Sequence, residues 1–263
     1  MPVPLKSNGS NSSNVSKGRD TRDGRLGANR TVRTNNTAWF RFVASCAVIV
    51  TALLTFSVAA QDCDHWSEVQ SFGHLYVTAA VDLVVEQSEQ SAVCIAHNPN
   101  LHELDIQSID GVLYVAGKSG ELEHEVKIHI RTPVVSDIYV DAAARVSSES
   151  LTASRLVVES HGSSDIRLNV QVQDLVVGAF GQGNFSLSGA ATHQSVEIDG
   201  SGAYLAQALA SEISQVTVRG AGHVELWVEE MLDVDILGAA SVLYGGSPWV
   251  SQSITGHGAI GRL

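Results

Sequence analysis

Basic residues nearly vanish from this 263-residue chain after position 60. Residues 61–263 carry eight Lys and Arg against 26 Asp and Glu, a net charge of −18. Phosphate backbones repel such a surface, so nucleic acid is excluded as a partner. The short motifs of catalysis and metal binding are missing too. There is no His-Glu-x-x-His, no Cys-x-x-Cys and no Gly-x-Ser-x-Gly elbow. Aromatic side chains make up 6% of the chain, and few take outward positions: Trp66, Trp227 and Trp249. That is little for the sugar platforms of a polysaccharide-cleaving enzyme. Cysteine is down to three residues, Cys46, Cys63 and Cys94. Helix signals are few throughout residues 61–263.

The first sixty residues are a different polymer. They hold eight basic and two acidic residues, a net of +6. Residues 1–37 are rich in Ser, Asn, Thr, Gly and Arg, and cannot bury enough apolar surface to offset chain entropy. They read as a disordered basic leader. Residues 38–60 read as the apolar region of a signal peptide or as a signal anchor, with Phe42 to Ala60 free of charge. The small residues Val58-Ala59-Ala60 ahead of Gln61 fit cleavage between Ala60 and Gln61. The length of the run fits an uncleaved anchor, with Arg41 left in the cytoplasm. Either way residues 61–263 are expected outside the cytoplasm, in the periplasm, on the surface or secreted. Membrane contact is expected only if residues 38–60 remain as an anchor. Cys46 lies within the apolar run, a poor place for lipid attachment. Cys63 and Cys94 remain as a pair for a disulfide in an oxidising compartment, or as two thiols with Cys94 buried.

What residues 61–263 do contain is a repeat. Its unit is apolar-x-apolar-x-small-x-small-x-apolar-x-apolar. It reads Val196-Glu-Ile-Asp-Gly-Ser-Gly-Ala-Tyr-Leu-Ala206, then Val216-Thr-Val-Arg-Gly-Ala-Gly-His-Val-Glu-Leu226, then Val234-Asp-Ile-Leu-Gly-Ala-Ala-Ser-Val-Leu-Tyr244. Weaker copies centre on Ala142, Gly162, Gly181 and Gly256, and a distant one is Leu75 to Val85. The first small position recurs every 18 to 20 residues. Apolar and small positions share one parity, so each unit is two half-buried strands meeting where inward side chains are tiny. Ala142, Gly162, Gly181, Gly200, Gly220, Gly238 and Gly256 therefore read as structural corners, with Gly183, Gly202, Gly222 and Gly258 as their second small positions. The spacing predicts an all-β fold, a right-handed β-helix-like solenoid of about 18–20 residues per coil. A β-sandwich is the alternative, since strands divided by frequent turn signals also fit one.

Val77-Thr-Ala-Ala-Val-Asp-Leu-Val-Val-Glu-Gln87, the Gly-Ser-Gly and Gly-Ala-Gly units, and Tyr244-Gly-Gly-Ser-Pro248 through Gly256-His-Gly-Ala-Ile260 carry a resemblance. Together they resemble the bacterial head GIN domain family of autotransporter adhesins, over about residues 66–263. The resemblance implies an exported β-helix-like domain without catalytic residues to carry over, and its name implies an adhesin head. A self-exporting autotransporter also needs a C-terminal outer-membrane barrel built from alternating strands. The sequence given stops at Gly261-Arg262-Leu263 without one, so autotransport by this chain alone is not expected, and periplasmic residence, anchoring and secretion by other machinery stay open.

Remaining chemistry is thin. Gly256-His-Gly258-Ala-Ile-Gly261 matches G-x-G-x-x-G, but no helix or acidic residue can follow it, so these glycines read as a last corner. The ten histidines include His97/His102 and His124/His129. A spacing of five on a strand puts each pair on opposite faces, so no metal and no cofactor is expected. The carboxylates Glu86, Glu89, Glu121, Glu123, Glu125, Glu225, Glu229, Glu230, Asp233 and Asp235 read as a solvated face that blocks sheet edges. The leading expectation is a non-enzymatic envelope interaction domain whose partner is a glycan, a cell-wall polymer or a protein. A polysaccharide lyase or hydrolase on the same scaffold is the second. A structural component that self-associates through exposed coil ends is the third.

Overall fold

The computed structural model describes residues 63, 65–96, 104–118 and 126–263. They lie in a unit spanning Phe56–Leu263. The leader, the apolar run and the Ala60–Gln61 junction fall outside the described residues, as do Cys46, His97, His102, His124, Glu121, Glu123 and Glu125. Among the described residues every regular element is a strand.

The fold is a β-solenoid. Five long strands run parallel and stack in order: β9 (Arg145–Gly162), β10 (Asp165–Gly181), β11 (Asn184–Gly200), β12 (Ala203–Gly220) and β13 (His223–Gly238). Each is one bent coil. Parallel pairing from strand to strand excludes the sandwich, whose neighbouring strands run antiparallel. The inward column is Val, Ile and Leu, with Val158, Ile166, Val170, Ile198, Val218, Val234 and Ile236 wholly buried.

The glycine corners stack in strict register: Gly162 on Gly181, Gly200, Gly220, Gly238 and Gly256. All six have φ between +120° and +147°, which side-chain-bearing residues rarely adopt. A Cβ at Gly200 would stand 2.3 Å from the Gly181 carbonyl oxygen, and one at Gly220 2.3 Å from that of Gly200. That carbonyl is where the next coil bonds, since the Ser201 amide donates to Gly181 O and the Ala221 amide to Gly200 O. The second small position is limited by the neighbouring carbonyl at Gly202, where a Cβ would stand 2.6 Å from Gly183 O, and by core side chains at Gly222 and Gly258. A Cβ at Gly258 would meet Ile236 Cγ2 at 2.4 Å, while Ala144, Ser164 and Ala240 fit at equivalent places. Ala142 occupies the earliest corner, beneath Gly162, without a positive φ.

The N-terminal coils do not stack in sequence order. β2 (His74–Val77) and β3 (Asp82–Gln87) form the Leu75–Val85 coil, which sits against β8 (Asp137–Val140) and the start of β9. On their other side lie β6 (Val112–Gly117) and β7 (Lys127–Thr132). The chain thus leaves the stack after one coil, builds the outer coil and returns inside. Antiparallel strands cover that outer coil. β5 (Leu104–Ile109) pairs with β6 through an Asp110-Gly111 turn with φ of 50° and 81°, and β4 (Ala92–Ile95) pairs with β7 and with β1 (Ser67–Glu68). Cys63 and Cys94 are joined at this end, with Cα atoms 6.0 Å apart.

Candidate functional site

Each coil has a second bend, opposite in character to the glycine corner. Coil lengths differ, and all the difference is absorbed here. The register shifts opposite Leu168–Val170, at Ser186–Ser188, and between Ala206 and Ile213. Extra residues bulge outward at these points without disturbing the corner stack. At Gly189 the bend needs φ of +107°, and a Cβ there would strike the Val170 carbonyl oxygen at 2.0 Å.

Three rows of side chains line the bend and form an open groove of about 620 Å³. The floor is Ala153, Val172, Ala191 and Ser211, aligned in register. These short side chains let the sheet surface dip. One rim is Thr152, Gln171, Ala190 and Ala210; the other is Ser154, Gln173, Thr192, Glu212 and Glu229. Trp227 follows Ala210 in register, and its indole N–H donates to Glu229 Oε1 at 2.6 Å. Its ring lies over Gly245, where a Cβ would meet Trp227 Cε3 at 2.4 Å. At the opposite end, Gln87 donates from Nε2 to the Thr152 carbonyl at 2.8 Å and accepts the Thr152 amide at 2.7 Å.

Beneath the floor lies a buried polar network. The Tyr204 hydroxyl donates to Gln194 Oε1 at 2.8 Å, and Gln194 Nε2 donates to Ser211 Oγ and Ser214 Oγ at 2.7 Å each. Ser211 Oγ donates to the Trp227 carbonyl at 2.8 Å. Every member has a partner, so the network is affordable inside an apolar column. Burial pushes the Tyr204 phenol far above its usual pKa, so it stays a neutral donor. Ser211 belongs to both groove and network, and so ties the floor to the Trp227 backbone.

A second surface is an aromatic ladder across Tyr114, Tyr76, Tyr139, His161 and Phe180. Tyr76 and Tyr139 stack at 4.7 Å and 2°, and His161 stacks on Phe180 at 4.7 Å. Tyr114 and His161 complete it at 5.7 Å and 5.0 Å. The ring faces cover one another, so the ladder offers edges rather than the open faces on which a sugar would stack. Burial, then Asp141, Tyr76 and Glu159, raise the Tyr139 pKa.

The acidic residues singled out from the sequence are scattered over coils rather than gathered. Arg131 donates to Glu86 at 2.9 Å, and Arg219 to Glu197. Glu225 pairs with His223 Nε2 at 2.8 Å and accepts from Gln207, contacts that hold its carboxyl below the usual range. Asp233 and Asp235 point outward from β13. Trp249 is exposed, and Trp66 carries the Arg131 guanidinium at 3.9 Å from its ring centroid. Among the described residues no three metal-binding side chains converge. Sequence reading missed the groove. Its floor residues belong to no motif, and their shared alignment is created by the coil register.

Solved structures share this fold. A "putative adhesin" from Bacteroides fragilis is 22% identical, with a TM-score of 0.71 over 76% of this chain and 95% of that one. A "putative lipid binding protein" from Parabacteroides distasonis is 17% identical, with a TM-score of 0.62 over the same shares. A "putative adhesin" from Parabacteroides merdae is 19% identical, with a TM-score of 0.57 over the same shares. No curated protein matches the chain. Residues 71–248 match the family described as "putative auto-transporter adhesin, head GIN domain", and with the solenoid and its glycine corners in place the chain belongs to that family.

Proposed function

We propose that this protein is an exported, adhesin-like domain of the bacterial envelope that holds a neutral, hydroxyl-rich polymer, a glycan, along the second-bend groove without cleaving it. The groove is the observation that carries this reading. It runs across successive coils, so it offers the same kind of contact several times to an extended chain. Gln171, Gln173, Thr152, Thr192 and Ser154 both donate and accept, as sugar hydroxyls require. Trp227 supplies an aromatic wall beyond one end of the floor. The basic leader and apolar run support export, with cleavage between Ala60 and Gln61; N-terminal sequencing of the exported form is expected to begin near Gln61, and an intact Met1 in a membrane fraction would instead establish the anchor.

A glycan array combined with a reducing-sugar assay tests the proposal. Binding without new reducing ends is expected, and Ala190→Tyr, which fills the groove from a half-buried rim position, abolishes it. Binding untouched by Ala190→Tyr overturns the groove assignment. Release of reducing ends, lost in Glu212→Gln or Glu229→Gln, establishes the polysaccharide-active alternative, for which those two groove-lining carboxylates are the specific support.

A further inference from the structure

Several aromatic rings on this surface already have their faces covered. Tyr76, Tyr139, His161 and Phe180 cover one another in the ladder, and the Arg131 guanidinium lies over the Trp66 ring. Trp227 is the contrast. Among the described residues no second ring and no guanidinium lies against it, and it is 40% exposed.

That ring is nevertheless held in place. Thr152, Gln171, Ala190, Ala210, Trp227 and Gly245 form one row across successive coils. Gly245, in β14 (Ser241–Gly246), is buried although it has no side chain of its own. The indole covers it: a Cβ there would stand 2.4 Å from Trp227 Cε3 and 2.8 Å from Cζ3. Gly245 has no positive φ, so the covering ring, not the backbone, is what requires glycine. The indole N–H is tied to Glu229 Oε1 at 2.6 Å, and the Trp227 carbonyl accepts from Ser211 Oγ at 2.8 Å. One face of the ring therefore rests on β14. The other faces solvent beside Ala210, where the row is low.

Resting on the glycan reading of the groove, we infer that Trp227 is its specificity-determining residue, a fixed platform on which one pyranose of the bound polymer stacks by its C–H face. The face of an indole is apolar and electron-rich, so it takes a sugar ring that turns a set of hydrogens toward it. A platform held from below and at its N–H loses little freedom when the sugar arrives. Gln171 lies three strand spacings away along the same row, about 14 Å, so its amide meets the hydroxyls of a neighbouring unit while Trp227 holds the ring. Charge narrows the class further. Glu212 and Glu229 line the groove, and no Lys or Arg stands among its lining residues. A uronate would bring its carboxylate against both, so the sugar that stacks is a neutral hexopyranose.

Titration of the whole chain with linear hexamers of glucose, galactose, mannose and galacturonate tests this, read by calorimetry and by tryptophan emission. At least one neutral hexamer is expected to bind and to shift the emission, and the galacturonate hexamer is not. The emission shift disappears in Trp227→Phe, in which Trp66 and Trp249 remain, and Trp227→Ala weakens binding by about tenfold or more. Gly245→Ala leaves every groove-lining side chain in place but lifts the indole, and weakens binding by about tenfold as well. Thermal melting checks that each variant is folded, and Trp227→Ala, which removes a half-exposed side chain, carries the test should Gly245→Ala unfold. Binding abolished by Ala190→Tyr but unchanged in Trp227→Ala overturns the platform and leaves the groove standing. Galacturonate bound as tightly as the neutral hexamers overturns the selection by charge. No binding of any neutral hexamer overturns platform and groove together.

Discussion

The glycine corner and the second bend of each coil are built on opposite principles. At the corner, backbone touches backbone: the Gly220 position packs against the Gly200 carbonyl and allows neither a side chain nor an extra residue. At the bend, close backbone contact is confined to single coils, as at Gly189, while register shifts are absorbed and the surface dips into a groove. A repeat protein can thus keep one corner constant for stacking while varying the other for recognition, because only one alignment per coil is needed to hold the strands in register.

That contrast can be broken most forcefully at the corner. Gly220→Val combines a φ of +121° with a Cβ clash at 2.3 Å, and is expected to cost about 3–5 kcal/mol, read as a lowered urea midpoint at constant slope. If Gly220→Val is tolerated, the corner is not the fixed element. A one-residue insertion comes next. Placed after Ser201 it breaks the corner ladder and loses about 2–3 kcal/mol for the displaced hydrogen bonds. Placed after Asn169 it copies the extra residue that β9 already carries, and costs about 1 kcal/mol or less. Equal losses at the two sites would erase the distinction.

The bend has one feature that behaves like core. Tyr204→Phe leaves the Gln194 carbonyl oxygen buried without its donor and costs about 1–2 kcal/mol by thermal melting, with Ser211 and the groove floor loosened. The smallest effect belongs to Glu225. Hydrogen bonds from His223 and Gln207 depress its pKa in the folded protein, so its contribution is present above the ordinary carboxylate value of 4.5 and lost as pH falls below it. Urea midpoints at pH 7 and pH 3 are expected to differ less for Glu225→Gln than for the native chain. An identical difference would remove Glu225 from the acid response.

Gly162, Gly181, Gly200, Gly220, Gly238 and Gly256 were legible in the sequence because the constraint on each is local. A corner that excludes Cβ leaves the same mark every time, and the spacing of the marks names the solenoid. The inward Val, Ile and Leu were legible for the same reason, through strand alternation. The Asp110-Gly111 hairpin that builds part of the N-terminal cover was also written locally, as a two-residue turn between apolar strands, but no reading of the repeat draws attention to it.

The tertiary structure decided what depends on distant alignment. Leu75–Val85 looks like a first coil, yet it is the second layer, lying between β6–β7 and β8–β9. Parallel pairing between strands some sixty residues apart leaves no local mark, so composition cannot order the layers. Ala153, Val172, Ala191 and Ser211 are unremarkable one by one and become a groove floor only when the corners bring them into line. The sequence by itself determined the coil, because sterics at a corner act within a few residues. Stacking order and groove were decided by the packed fold, because each is a relation between coils rather than a property of one.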